Sequence, residues 1–114
     1  MAKSKHVHIL WTNDNLITSR LMVMMYATNS MAHGLWDNVT VILWGATVKL
    51  AAENEVIQEE IKLAQHVGVK FSACTSCARQ LGMTEKLEGL GVEISPWVEP
   101  FTELMQGGKA VICV

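Results

Sequence analysis

The residues best suited to chemistry are two cysteines in the segment "CTSCARQLGM", residues 74–83. Cys74 and Cys77 stand three positions apart, directly after an apolar run, where a strand pattern gives way to a helix pattern. Thiols at this spacing suit a metal clip, a redox pair, a sulfur nucleophile, or two small side chains that only pack. The rest of the chain has to discriminate among these four.

Metal binding finds little support in the sequence. A structural zinc site needs four ligands, commonly two Cys pairs or a Cys pair with a His pair. The third cysteine, Cys113, lies inside the last apolar run, where we expect it to pack in the core. The histidines form no His-x3-His pair, and we interpret all four as solvent-facing or packed: His6, His8, His33 and His66. We therefore expect no metal.

A redox pair stays open as an alternative. At a helix start, backbone N–H groups and the helix dipole stabilise the thiolate of the first cysteine in a Cys-x-x-Cys motif. Cys74 would lie at or just before such a start, and Cys77 one turn further on. The surrounding pattern differs from thioredoxin, which has a longer helix after the motif and a cis-proline opposite it. Thiol–disulfide exchange is therefore possible but not favoured.

A single reactive thiol is the third interpretation. Cys74 ends a strand pattern, and Thr75, Ser76 and Arg79 follow it within about a turn. Amides, hydroxyls and a cation together stabilise a thiolate. We expect Cys74 to be more reactive than Cys77 and Cys113. On spacing alone, Cys74 is equally well explained as the last residue of a packed strand.

Strand and helix patterns alternate along the chain and predict a single α/β domain over residues 1–114. The expected fold is a three-layer α/β/α structure with a mostly parallel five-stranded sheet. Nearly continuous apolar, β-branched runs predict strands at 6–11, 39–44, 69–74, 92–95 and 109–114. Helices are predicted at 15–33, at 53–67 and at 76–88, the last with a break near Gly82. A further helix is predicted after "SPWVEP", where Ser95 resembles an N-cap and Pro96 a first helical residue.

Chemistry in such a fold is expected beyond the carboxyl ends of the strands. Three segments follow strands in this way: 12–15, 45–49 and 74–77. The cysteines therefore occupy the expected site. We expect the same pocket to be lined by Trp11, Trp44, Thr12, Asn13 and Gly45. The segment "GATVK" lacks the spaced glycines of a phosphate loop, so no cofactor is expected.

Composition excludes several classes of function. The net charge is −2, and Lys and Arg form no basic stripe, which argues against nucleic-acid binding. No apolar run approaches the roughly 20 residues of a membrane span, and the first residues lack the pattern of a signal peptide. The odd number of cysteines favours free thiols in the cytoplasm. Hydrophobic residues make up 50% of the chain, and helix 15–33 is apolar around most of its circumference. We therefore expect a homo-oligomer, with Met22, Val23 or Tyr26 at a contact between subunits.

With these features the whole chain resembles the DsrE/DsrF-like family, small proteins related to sulfur-relay subunits. The resemblance rests on a small-residue loop before a long helix, a second strand ending at Gly45, and the segment "VGVKFSACTSCARQLGM". Members show a strand, a cysteine, and a glycine eight residues later, which here are Cys74 and Gly82. The position before that glycine is often arginine in the family. Here it is Leu81, with Arg79 two positions earlier.

The resemblance implies a sulfur carrier with sulfurtransferase-like chemistry. The matching cysteine, Cys74, would accept sulfane sulfur as a persulfide and pass it to an acceptor thiol. Cys77 resembles the second cysteine of a subset and either resolves the persulfide or only packs. The resemblance also implies donor and acceptor proteins and a homo-trimer or homo-hexamer. The alternative is a non-catalytic module that binds a small ligand or a partner protein in the same pocket.

Overall fold

The computed structural model describes residues 5–114 and confirms the predicted sheet. Its strands are β1 (His6–Trp11), β2 (Asn38–Leu43), β3 (Lys70–Cys74), β4 (Glu93–Ser95) and β5 (Ala110–Cys113). They lie in the order β4-β3-β2-β1-β5, and every neighbouring pair is parallel. The sheet is therefore wholly rather than mostly parallel. The fold is the expected three-layer α/β/α arrangement.

The first helix is continuous but changes its winding. It begins as α1 (Leu16–Thr18), passes through a π-helical stretch (Ser19–Met24) and ends as α2 (Met25–Ala32). The other helices are α3 (Ala46–Glu53), α4 (Glu55–His66), α5 (Thr75–Gln80), α6 (Thr84–Gly89) and α7 (Val98–Gln106). The break predicted near Gly82 separates α5 from α6. Helix α3 is absent from the sequence prediction, in which the helix after β2 begins only at residue 53. None of the helices within residues 5–114 is long and apolar enough to cross a membrane.

The two helical layers are unequal, and the strand order explains why. The connections from β1 to β4 all step in one direction across the sheet, so right-handed crossovers place their helices on one face. The connection from β4 back to β5 steps the other way and places α7 on the opposite face. Contacts agree with this: Trp11 Nε1 donates to Ser19 Oγ on the first face at 3.0 Å. Trp97 Nε1 donates to Ser72 Oγ on the second face at 2.8 Å.

The main core lies under the larger helical layer. Alternate residues of the central strands point into it and are almost completely buried: Val7, Ile9, Trp11, Val39, Val41 and Leu43. Helix α4 contributes Ile57, Ile61 and Ala64 from the opposite side. This core holds the carboxyl ends of β1, β2 and β3 in fixed register, which is what positions the candidate site.

Burial in the core accounts for only part of the apolar circumference of the first helix. Val23 is fully buried in the core, so it cannot lie at a subunit contact. Met22 and Tyr26 are half-buried and remain candidates. Ile17 and Leu21 are well exposed, at 69% and 58%. The homo-oligomer therefore stays a prediction.

Two local predictions were wrong. Ser95 is not a helix cap: it is the last residue of β4, paired with Cys74, and α7 begins at Val98 with Trp97 as its N-cap. Pairing with β3 keeps Ser95 in the strand. Cys113 does not pack in the core: it is exposed, because β5 is an edge strand. Its exposure makes it a useful control thiol.

Candidate functional site

Cys74 lies where β3 ends and α5 begins. It is the last residue of the strand, and its extended backbone (φ −64°, ψ 126°) makes it the N-cap of the helix. Only 4% of its surface is exposed. It contributes to a cleft of about 510 Å³, which we call the α7-side cleft. The lining of this cleft is Cys74, Thr75, Ser76, Pro96, Trp97, Val98, Glu99 and Pro100.

Cys77 lies in the first turn of α5 and faces a different cleft. It is half-buried and contributes to a cleft of about 550 Å³, the α3-side cleft. This cleft is lined by Asp14, Gly45, Ala46, Lys49, Leu50, Glu53, Cys77, Gln80 and Leu81. Within residues 5–114 the two clefts have no lining residue in common. The two thiols are therefore neighbours in the helix but open toward different sides of the sheet edge.

The environment of Cys77 raises the pKa of its thiol. Burial raises the pKa of Cys77, the Gly45 N–H lowers it by donating to Sγ at 3.4 Å, and the charge and hydrogen bond of Cys74 raise it further. A hydrogen bond that raises the pKa of an acid stabilises its protonated form. The neighbouring Cys74 therefore favours the protonated form of Cys77.

Gly45 has a backbone conformation that only glycine adopts without strain. Gly45 lies at the turn between β2 and α3, with φ 74° and ψ −131°. In this conformation its N–H donates to Cys77 Sγ. The hydroxyl of Thr47 supports this turn: it is fully buried, donates to the Trp11 carbonyl at 2.6 Å, and accepts from the Trp44 N–H at 3.2 Å. The turn is therefore tied to β1, and the Gly45 N–H is held in place.

Thr12 and Asn13, which were predicted to line the site, instead stabilise the loop after β1. The Thr12 and Asn13 N–H groups donate to the Val114 carbonyl at 2.8 and 3.2 Å. The Asn13 carbonyl accepts from Trp11 Nε1 and Ser19 Oγ. Both residues thus fasten the first loop to the last strand and to the first helix. They are absent from the linings of the two clefts as residues 5–114 form them.

The expected tryptophans and arginine also lie elsewhere. Trp11 is fully buried in the core, and Trp44 packs edge-to-face against Phe101 with ring centroids 5.8 Å apart. Arg79 is exposed in the last turn of α5 and lines neither cleft within the described part of the chain. Of the predicted residues, the structure brings Cys74, Thr75 and Ser76 to one cleft and Gly45 and Cys77 to the other.

Sequence reasoning placed the segments that contain Asp14 and Lys49 at the site without assigning their charges a role, and it missed Glu53. Lys49 and Glu53 lie on α3, and Asp14 ends the run "TND" after β1. The available signal was the segment "ATVKLAAE", whose composition suits a helix following Gly45. No group of three or more His, Cys, Asp or Glu residues comes together within residues 5–114 in a way that could hold a metal ion.

Comparison with known proteins identifies the family. The model of the DsrE/DsrF-like family matches residues 7–114. The chain belongs to the DsrE/DsrF-like family, which is linked to sulfur relay. None of the curated proteins matches the sequence.

Solved structures share this fold over nearly their whole length. A conserved protein of unknown function from Bacteroides thetaiotaomicron, BT1422, is 34% identical, with a TM-score of 0.94 over 96% of this chain and 95% of that one. A protein of unknown function from Methanobacterium thermoautotrophicum, MTH1491, is 22% identical, with a TM-score of 0.79 over 97% and 100%. The ychN protein from E. coli is 14% identical, with a TM-score of 0.68 over 98% and 100%. The last two show likeness of fold alone.

Proposed function

We propose that this protein is a sulfur carrier that accepts sulfane sulfur as a persulfide on Cys74 and passes it to an acceptor thiol. The observation that carries the proposal is the position of Cys74. It ends a central strand at the carboxyl edge of the sheet, contributes to a cleft of about 510 Å³, and has a second thiol beside it. Active groups of parallel α/β folds belong at this edge.

The chemistry requires no cofactor, because it exchanges one S–S bond for another. The Cys74 thiolate attacks the outer sulfur of a donor persulfide, and the donor leaves as a thiolate. An acceptor thiolate then attacks the outer sulfur of the Cys74 persulfide, and Cys74 leaves as a thiolate. No net oxidation or reduction occurs in either step. Each step needs a stabilised thiolate at Cys74.

The α7-side cleft offers polar groups beside Cys74. Cys77 stands three residues further along α5, and Cys74 contributes to its raised pKa. Thr75 and Ser76 place two hydroxyls at the same cleft. With 4% of its surface exposed, Cys74 is shielded from bulk solvent, which protects a bound persulfide from adventitious thiols.

The α7-side cleft also suits a protein partner. Trp97, Pro96 and Pro100 form an apolar wall, and Val98 is 66% exposed beside them. Aromatic and other apolar side chains at a cleft rim are typical of protein contacts. We infer that donor proteins bind here, and that the exposed apolar residues of the first helix pack in a homo-trimer or homo-hexamer. A monomeric mass in solution at micromolar concentration would contradict this assembly.

Mass spectrometry tests the carrier function. We expect the folded protein, treated with inorganic polysulfide and freed of excess reagent, to gain the mass of one sulfur atom. Cys74→Ser should lose this gain. Cys113→Ser is the matched control, because it removes an exposed thiol that lines neither cleft. Loading of Cys74→Ser to the level of the unmodified protein would refute the assignment.

A further inference from the structure

Neighbouring thiols that open into different clefts are the starting point. Cys74 belongs to the α7-side cleft, where Glu99 is the one charged residue of the lining within residues 5–114, and Cys77 to the α3-side cleft, whose lining carries Asp14, Lys49 and Glu53. A carrier that receives and delivers sulfur through one cleft needs only one thiol at one cleft. Here a second thiol, Cys77, lines a second cleft.

We propose that sulfane sulfur crosses the edge of the sheet, entering at Cys74 from the α7-side cleft and leaving from Cys77 into the α3-side cleft. This inference rests on the proposed carrier function and adds a route and a direction to it. Cys77 is then a second carrier residue, and donor and acceptor bind at separate surfaces of the protein. The acceptor is a polar, charged thiol compound or side chain that fits the charged α3-side cleft.

The transfer step balances without any other reagent. The Cys77 sulfur attacks the outer sulfur of the Cys74 persulfide, a new S–S bond forms on Cys77, and the bond from that sulfur to Cys74 Sγ breaks. The proton of Cys77 passes to Cys74, which becomes a thiol. One persulfide and one thiol are present before and after the step.

The surroundings of the two sulfurs set the direction. Cys77 is more exposed than Cys74, so a persulfide there is easier for an acceptor to reach. The Gly45 N–H donates to Cys77 Sγ at 3.4 Å and favours negative charge on that sulfur. Cys74, and not Cys77, lines the α7-side cleft, where we expect donors to bind, so loading begins at Cys74.

Attack at the inner sulfur would give a different product. If Cys77 attacked Cys74 Sγ itself, hydrogen sulfide would leave and the two cysteines would form a disulfide. This reductive discharge consumes the persulfide instead of passing it on. The two outcomes differ in mass by the atoms of hydrogen sulfide, so a single spectrum distinguishes them.

Time-resolved mapping tests the route. The full chain is loaded briefly with inorganic polysulfide, quenched with an alkylating agent at successive times and digested after Lys70 and Arg79. Fragment ions between the two cysteines then locate the extra sulfur. We expect it on Cys74 first and on Cys77 later. In Cys77→Ser it should stay on Cys74, and discharge to free cysteine, used as the acceptor probe, should be at least tenfold slower.

Cleft-filling substitutions test the direction independently. Val98→Trp narrows the α7-side cleft and Ala46→Trp the α3-side cleft, and both positions are exposed, so the core is untouched. We expect Val98→Trp to slow loading severalfold with little effect on discharge, and Ala46→Trp to do the reverse. Unfolding midpoints equal to that of the unmodified protein verify the fold. The opposite pattern, or equal effects of both substitutions on both steps, would overturn the direction.

Failure of the route and failure of the carrier function give different results. No extra sulfur on either cysteine of the unmodified protein contradicts the carrier function itself. Sulfur that stays on Cys74 and discharges equally fast in Cys77→Ser overturns the route and leaves the carrier intact. A Cys74–Cys77 disulfide in place of a Cys77 persulfide also overturns the route and assigns Cys77 to reductive discharge.

Discussion

Replacing Gly45 by alanine separates backbone strain from chemistry at the site. An added Cβ would meet no atom within 4 Å, so no clash opposes the substitution. The cost arises from the backbone alone, because φ is 74° and ψ is −131°. A residue with a side chain in such a conformation costs about 1–3 kcal/mol. We expect the free energy of unfolding to fall by that amount.

The same substitution acts on Cys77 through the lost alignment of the Gly45 N–H. That group donates to Cys77 Sγ at 3.4 Å and lowers the pKa of the thiol against the effect of burial. A relaxed turn removes this bond, so the pKa of Cys77 rises further. A hydrogen bond contributing about 1 kcal/mol corresponds to roughly a fivefold smaller thiolate fraction. We expect alkylation of Cys77 to slow by about the same factor.

The assay is the rate of alkylation of Cys77 at neutral pH, read by peptide mass spectrometry together with the unfolding midpoint. Gly34→Ala is the matched control: its φ is 68°, its Cβ would also meet nothing within 4 Å, and it lies outside both cleft linings. It should lose stability while Cys77 reacts at the original rate. Equal rates in the Gly45→Ala and unmodified proteins would refute the assigned role of the Gly45 N–H.

Three further substitutions test the packing around the site. Burial lowers the pKa of His8 from 6.5 to about 4. The contribution of His8 to the free energy of unfolding is therefore complete above pH 6.5 and is lost as the pH falls toward 4, by up to about 3 kcal/mol. His8→Phe should remove most of this loss in denaturation curves measured across that pH range. Asn54→Ala should cost about 1 kcal/mol in chemical denaturation, because its side chain caps α4, and an unchanged midpoint would contradict that role. Trp97→Phe breaks the bond to Ser72 Oγ and should cost about 1 kcal/mol or more by the same measurement, whereas no loss would mean that α7 packs without it.

The strands were the most predictable part of the fold. Buried parallel strands read as continuous apolar, β-branched runs, and all five appeared within a residue or two of their predicted bounds. Helix α3 is missing from the sequence prediction because it is short and follows directly on Gly45 at the end of the second strand. Ser95 was misassigned because its pairing with Cys74 is a long-range contact. Local patterns do not report such contacts.

The candidate site was predictable only along the chain. The end of β3 located Cys74 at the carboxyl edge of the sheet, and this needed no knowledge of strand order. The separation of Cys74 and Cys77 into two clefts depends on α7 lying alone on the second face, which follows from the order β4-β3-β2-β1-β5. That order is a property of the assembled sheet. The exposure of Cys113 has the same origin, since only the sheet order makes β5 an edge strand.

The central claim is that Cys74 carries a transferable sulfane sulfur, and cyanolysis tests it most directly. Cyanide removes the outer sulfur of a persulfide as thiocyanate, which can be measured by its coloured iron complex. After loading with polysulfide and removal of excess reagent, we predict one equivalent of thiocyanate per chain from the unmodified and Cys113→Ser proteins. Cys74→Ser should yield none. Thiocyanate at the same level from Cys74→Ser, or none from the unmodified protein, would contradict the account.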